Sequence, residues 1–287
     1  YRGLGGLRRL YKELKGLDSW DVVLDLHSVM RTWVLSAFFR LSGQKVFTID
    51  KGREAKAELI SQKHRRLHRL PHTTERYLKV FNEAGFVGII LDGDCIRSSA
   101  EAKEKQEEFC INNGLVKDQK WLGLAPFSKH VQKEWPLAKI SALVEALAQK
   151  EEYKVILLGG GSEEVKLLKQ LASEHKNVHN LAGVLDLEEE ISFIHRLDCV
   201  ISMDSFNMHL AALSDVNVVS IWGATHTFAG FGPLNDNEEF IVETSTEELS
   251  CRPCSVFGNK PCIRKDLACL ERITVPQVLE KIELALA

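Results

Sequence analysis

Residues Cys199 to Gly223 read CVISMDSFNMHLAALSDVNVVSIWG, two apolar runs (CVISM and VNVVSIWG) on either side of FNMHLAAL, which has helical spacing. Short apolar runs rich in β-branched residues suit strands covered on both faces. Strand, helix, strand in that order is the repeating unit of a parallel sheet.

Working outward, the alternation continues. WLGLAP (121–126), YKVILL (153–158) and NVHNL (177–181) read as strands, and LAKISALVEALAQK (137–150), EEVKLLKQLASE (163–174) and LEEEISFIHRL (187–197) as helices. In the first of these helices Ile140, Leu143, Val144 and Leu147 share one face. Five strands alternating with four helices call for a parallel sheet with helices on both sides.

Upstream, DVVLDLH from Asp21 and KVFTI (45–49) repeat the strand signal around a helix expected from Arg31 to Leu41. Lys51 to Arg69 is dense in Lys, Arg and His, with too few apolar residues for a buried helix, and reads as an exposed basic segment. TTERYLKVFNEAGF follows, a helix with Thr73 at its start and Gly85 near its end. Gly88 to Cys95 and a charged helix, Glu101 to Asn112, lead to the polar stretch LVKDQK (115–120). That stretch is the expected junction between domains 1–118 and 119–287, because 287 residues exceed the roughly 100–200 of one domain.

With 45% hydrophobic and 27% charged residues and a net charge of -3, the composition is that of an ordinary globular protein. It offers no global attraction for nucleic acid. No apolar run approaches the roughly 20 residues of a membrane span, and YRGLGGLRRLYKELK lacks a signal peptide's apolar centre, so the cytoplasm is the expected compartment.

In an open parallel sheet, ligands bind beyond the carboxyl ends of the strands. Polar or glycine-rich turns fall there after every strand of the second domain: APFSKHVQKEWP, GGGSEE, AGVLD, DSFNMH and GATHTFAGFGP. Lys133, with Ser128 and Lys129 close by, has the chemistry to bind phosphate beside helix N–H groups; the alternative is a solvated lysine. Glu163 and Glu164 would occupy the first turn of their helix and repel phosphate, so GGGSEE is better suited to ribose hydroxyls or to the helix dipole. At Asp204, Ser205 and His209, Ser205 is placed to cap a helix whose next N–H groups face the crevice. A capping Asp-Ser pair with a packing histidine is the competing reading.

Cys251, Cys254, Cys262 and Cys269 lie within nineteen residues. Four thiolates hold zinc tetrahedrally, but the second pair is spaced by seven. Reduced thiols packing a small lobe are expected, with structural zinc the alternative; no cofactor is otherwise expected.

The combination APFS...KEWP, VILLGGGSEE, NLAGVLDLEE and ISMDSFNMHLAALSDVNVVSIWGATH, together with DVVLDLHSVMRT and the CRPC...C...CL tail, resembles the ADP-heptose:lipopolysaccharide heptosyltransferases of glycosyltransferase family nine. The resemblance covers nearly the whole chain. It implies a GT-B α/β fold, two Rossmann-like domains with parallel sheets, and an inverting transfer needing no metal. The implied partners are a nucleotide-sugar, ADP-heptose by the resemblance, and a lipopolysaccharide core or lipid A precursor acceptor, met by peripheral contact at the inner membrane surface.

By position, Lys133 and Ser128 would meet the diphosphate with Lys129 beside them, Asp204 the transferred sugar, and Ser205 with the following N–H groups the phosphates. His209 belongs to the same motif. Phe206 stands where the family commonly has glycine or alanine, which alters how closely phosphates approach. Asp25, His27 and Arg31 would lie on the acceptor side, with the basic segment facing phosphorylated lipid A or core sugars. The family's general base is an aspartate on a glycine-rich turn after the first strand, and no such segment occurs in this sequence. The resemblance therefore implies either an incomplete N-terminal domain, with the base in the absent segment and Asp25 only a weak substitute that reads better as an acceptor-side or structural residue, or a non-catalytic nucleotide-sugar binding protein that has lost the base. A zinc-dependent adaptor built on the cysteine tail is a third class.

Overall fold

The computed structural model describes residues 1–63, 65–89, 95–115, 119–234 and 237–287. The chain divides into two compact units, Tyr1–Ala57 with His68–Ile90, and Glu58–Leu67 with Leu91–Ala287. The expected junction at 115–120 and the stretch Gly88 to Cys95 both include residues outside the described ones.

In the first unit, α1 (Gly3–Leu17) packs on α2 (Met30–Leu41), and β1 (Val22–Asp25) pairs in parallel with β2 (Lys45–Thr48). Helix α3 (Arg53–Leu59) begins in this unit and its last two residues belong to the second; α4 (Thr73–Glu83) lies in the first. The start of α4 is capped by His72 rather than by Thr73: its ring accepts from the Thr74 amide while Glu75 reaches back to the His72 amide. Gly85, at φ +95°, ends the helix in a conformation costly for other residues.

The basic segment departs from its reading as uniformly exposed. Seven of its residues form α3, and Lys56 and Leu59 are buried. Burial, reinforced by the nearby charges of Arg76 and Lys51, pushes the Lys56 ammonium down to about 8.

In the second unit α5 (Ala100–Asn112) is capped by Ser99. Six parallel strands follow: β3 (Lys120–Ala125), β4 (Tyr153–Leu157), β5 (Val178–Asn180), β6 (Cys199–Met203), β7 (Val218–Trp222) and β8 (Ile241–Glu243). Their order in the sheet is β5-β4-β3-β6-β7-β8. Helices α6 (Leu137–Ala148), α7 (Ser162–Ser173), α8 (Leu187–Ile194), α9 (Phe206–Leu213), α10 (Ala268–Glu271) and α11 (Val275–Leu286) complete the unit.

Both faces of the sheet are covered, which explains the near-continuous apolar strands. Leu122 and Leu124 of β3 enter one core with Leu143, Leu147 and Ile282, while Trp121 and Ala125 enter the other with Phe193 and Met208. Gly123 shares the second face, where a Cβ would stand 2.7 Å from Leu197 Cδ1. The four residues expected on one face of α6 are all buried there. Strand β8 and helix α11 were not anticipated: β8 has only three residues, too few to show a period.

Candidate functional site

The carboxyl ends of β3, β4 and β6 open into a crevice of about 630 Å³. Ser128, Lys129, Lys133, Asp204, Ser205, Phe206 and His209 all line it, brought together from turns more than seventy residues apart in sequence. Glu164 also lines it; Glu163 is not among the lining residues.

Lys133 is the hub. Its Nζ lies 2.9 Å from Asp204 Oδ2 and donates to the Asp204 carbonyl at 3.1 Å. Ser128 Oγ donates to the same carbonyl at 3.0 Å, and the Ser128 amide donates to Glu134 Oε1. The turn after β6 is thus held by two side chains from the turn after β3. Lys133 and Asp204 expose only 14% and 8% of their side chains, so their attraction acts in a poorly solvated place. The stem of Lys133 runs against Gly258, whose φ is +72° and whose added Cβ would lie 2.6 Å from Lys133 Cγ.

Ser205 occupies the N-cap position of α9 but does not cap it, contrary to expectation. Its Oγ lies 3.1 Å from Ser202 Oγ, which turns the hydroxyl back toward the strand. The first turn of α9 is therefore left without a side-chain cap, and its N–H groups and partial positive charge remain available to an anion. Phe206 is 61% exposed at this opening, and Lys129 is exposed as well. His209, one turn on, is half-buried.

The opposite side of the crevice is acidic. Glu164 accepts a hydrogen bond from the Gly160 amide at 3.1 Å, which fixes the glycine turn around a carboxylate rather than a phosphate. Glu190, on α8, also lines the crevice, and burial raises its carboxyl above the usual range. Sequence reasoning missed Glu190, Asn207 and Phe127 among the lining residues. Asn207 lies inside the quoted motif, whereas nothing in LEEEISF sets Glu190 apart from the two glutamates before it.

Beyond β7 the turn is organised by Arg252, which is completely buried. Its guanidinium donates to the carbonyls of Gly223 (2.6 Å), Thr225 (3.0 Å) and Thr244, and pairs with Glu243 at 2.7 Å. His226 Nε2 meets the other Glu243 oxygen at 3.3 Å. Burial alone would raise the Glu243 carboxyl, but the His226 hydrogen bond and the Arg252 charge outweigh it and hold it at about 2. The Cys254 and Ser255 amides donate to the Ala224 carbonyl, and the Ala224 amide donates to the Gln132 carbonyl, next to Lys133.

The cysteine-rich segment is part of this wall. Cys251, Cys254, Cys262 and Cys269 surround a void of about 10 Å³, all as free thiols. Among the described residues no group of three or more His, Cys, Asp or Glu side chains is arranged to hold a metal ion. Burial pushes the Cys269 thiol up to about 11. Arg65 straps the segment from outside, donating to the carbonyls of Ser250, Cys251, Arg252 and Pro253.

The expected acceptor-side residues belong to the first unit. Asp25 is buried at the end of β1, and its Oδ1 accepts from the His27 (3.0 Å) and Ser28 (2.8 Å) amides. This is a turn-forming role. The side chains of His27 and Arg31 are exposed, and among the described residues neither forms a hydrogen bond or ion pair with the Asp25 carboxyl. No helix of the described residues is long and apolar enough to cross a membrane.

The model of glycosyltransferase family 9 (heptosyltransferase) matches residues 7–259. The chain is 22% identical over 262 residues to the lipopolysaccharide core heptosyltransferase OpsX of Haemophilus influenzae, covering 88% of this chain and 71% of that protein. It is 27% identical over 184 residues to lipooligosaccharide heptosyltransferase 2 of Campylobacter jejuni, covering 61% of this chain and 53% of that one, about half its length. In three dimensions it is similar to the E. coli ADP-heptose lps heptosyltransferase II, with a TM-score of 0.63 at 20% identity over 99% of this chain and 81% of that one.

Proposed function

Because the chain belongs to glycosyltransferase family 9, we propose that it moves a heptose from a nucleotide-diphosphate carrier, ADP-heptose, to a lipopolysaccharide core acceptor, with inversion at the anomeric carbon. The observation that carries this reading is the junction of Lys133, Ser128 and the uncapped start of α9 around Asp204, at the carboxyl edge of a parallel sheet.

As the glycosidic bond breaks, negative charge gathers on the departing nucleoside diphosphate. Lys133 and the N–H groups of α9 stabilise that charge more in the transition state than in the ground state. Because Lys133 is already paired with Asp204, the ammonium is held in place before the diphosphate arrives, and Asp204 is left beside the sugar. Glu164 lies where ribose hydroxyls can donate to it. Asp25, His27, Arg31 and the basic segment are proposed to meet the acceptor, and Lys129 and His209 to assist at the phosphates. The four cysteines are proposed to act as reduced thiols that pack the wall behind Lys133.

A thermal-shift panel of nucleotide diphosphates and nucleotide-sugars tests this reading: a bound nucleotide-sugar raises the melting temperature by mass action. No shift with any of them would overturn it. A second reading, a nucleotide-sugar binder without transferase activity, is favoured by the Asp25 geometry, since two amides already occupy Oδ1 of the candidate base. Binding without transfer to a core acceptor, by the whole protein, would support it.

A further inference from the structure

The crevice is polarised along the sheet. Lys133 and the start of α9 come from the turns after β3 and β6, whereas Glu164 and Glu190 come from the helices after β4 and β5, which succeed one another toward the opposite edge. A nucleotide-sugar has a matching order of groups: sugar, diphosphate, ribose, base. With the diphosphate at Lys133, the ribose falls toward Glu164 and the base toward Glu190.

The two glutamates differ in one respect. Glu164 accepts from the Gly160 amide, but among the described residues nothing donates to the Glu190 carboxyl, although it is half-buried in the crevice wall. A poorly solvated carboxyl without a partner gains most from a ligand N–H and is most unfavourable to a ligand carbonyl.

We propose that Glu190 is the residue that selects the nucleobase, its carboxyl accepting a hydrogen bond from the exocyclic amine of a 6-aminopurine. This rests on the reading of the crevice as a nucleotide-diphosphate site. A 6-oxopurine puts an acceptor where that amine would be, so two acceptors meet with no proton between them. Sites that hydrogen-bond a ligand group reject the analogue lacking it for this reason.

The test compares calorimetric affinities for ADP and inosine diphosphate in the wild type, Glu190→Gln and, as a control on the same helix, Glu188→Gln. The wild type and the control are expected to favour ADP by about tenfold or more. Glu190→Gln, whose amide offers both a donor and an acceptor, is expected to bring the two within about threefold while still binding ADP. An unchanged preference in Glu190→Gln, or equal affinities in the wild type, would overturn the inference. ADP binding that is lost in Lys133→Ala would leave the nucleotide site standing in either case; if neither nucleotide binds the wild type, both readings fall.

Discussion

Lys133 and Asp204 are joined twice, Nζ lying 2.9 Å from Oδ2 and 3.1 Å from the carbonyl oxygen of the same aspartate. The ammonium thereby fixes both the backbone turn that starts α9 and the carboxylate that follows β6. Removing either partner strands the other in a poorly solvated place.

Lys133→Ala is therefore expected to lose most of the thermal shift given by nucleotide diphosphates and to destabilise the protein by up to roughly 3 kcal/mol. The double variant Lys133→Ala/Asp204→Ala should regain part of the stability and none of the nucleotide binding. Denaturant titrations combined as a double-mutant cycle separate the two roles. Full nucleotide response in Lys133→Ala would remove Lys133 from the site.

Gly258 sets the course of the Lys133 stem. Gly258→Val adds side-chain atoms where even a Cβ would sit 2.6 Å from Lys133 Cγ, at a φ of +72° that disfavours any β-branched residue. We expect a strain of at least about 1–2 kcal/mol and a fall in nucleotide affinity of tenfold or so. Titration of ADP measures it, and unchanged affinity would show that the ammonium finds its place without this wall.

Glu243 gives the protein an acid-sensitive point. Its folded carboxyl is held at about 2, below the roughly 4.3 of an unfolded glutamate, so its contribution is complete above the unfolded value. That contribution is lost as pH falls from about 4 toward 2. Urea unfolding between pH 2 and 7 should show a loss on the order of 3 kcal/mol from this group. In Glu243→Gln the neutral-pH stability should drop and this part of the acid dependence disappear.

Arg65 is expected to govern access to the cysteine-rich segment. In Arg65→Ala four carbonyls lose their guanidinium donor, and local opening should expose Cys251 and Cys254. Alkylation of these thiols, followed by mass spectrometry, should quicken by roughly tenfold for each 1.4 kcal/mol of local stability lost. Metal analysis of the same protein tests the zinc alternative directly.

Where burial on both faces dictates the residues, the fold was legible. Strands β3, β4, β6 and β7 are near-continuous apolar runs, and the helix face of Ile140, Leu143, Val144 and Leu147 is fully buried. Strand β8 carries no such signature, because its three residues sit at the sheet edge next to the Arg252 and Glu243 pair. The crevice residues were legible from their places after strands. The hydroxyl of Ser205 was not: its sequence position fits a cap, but Ser202, three residues earlier in β6, competes for it. Glu190 was hidden for a different reason. Three successive glutamates at a helix start look equally solvated until packing decides which of them faces inward.

Arg65 lies in a short stretch that belongs to the second compact unit, while the residues before and after it belong to the first. The polypeptide thus enters the second unit, leaves it, and enters again. A single proteolytic cut or gene truncation at residue 91 would discard the strap along with the first unit and bare the carbonyls it covers. Modular exchange of the two halves between relatives must carry residues 58–67 across with the second, or the transplanted half arrives with its cysteine-rich wall unfastened.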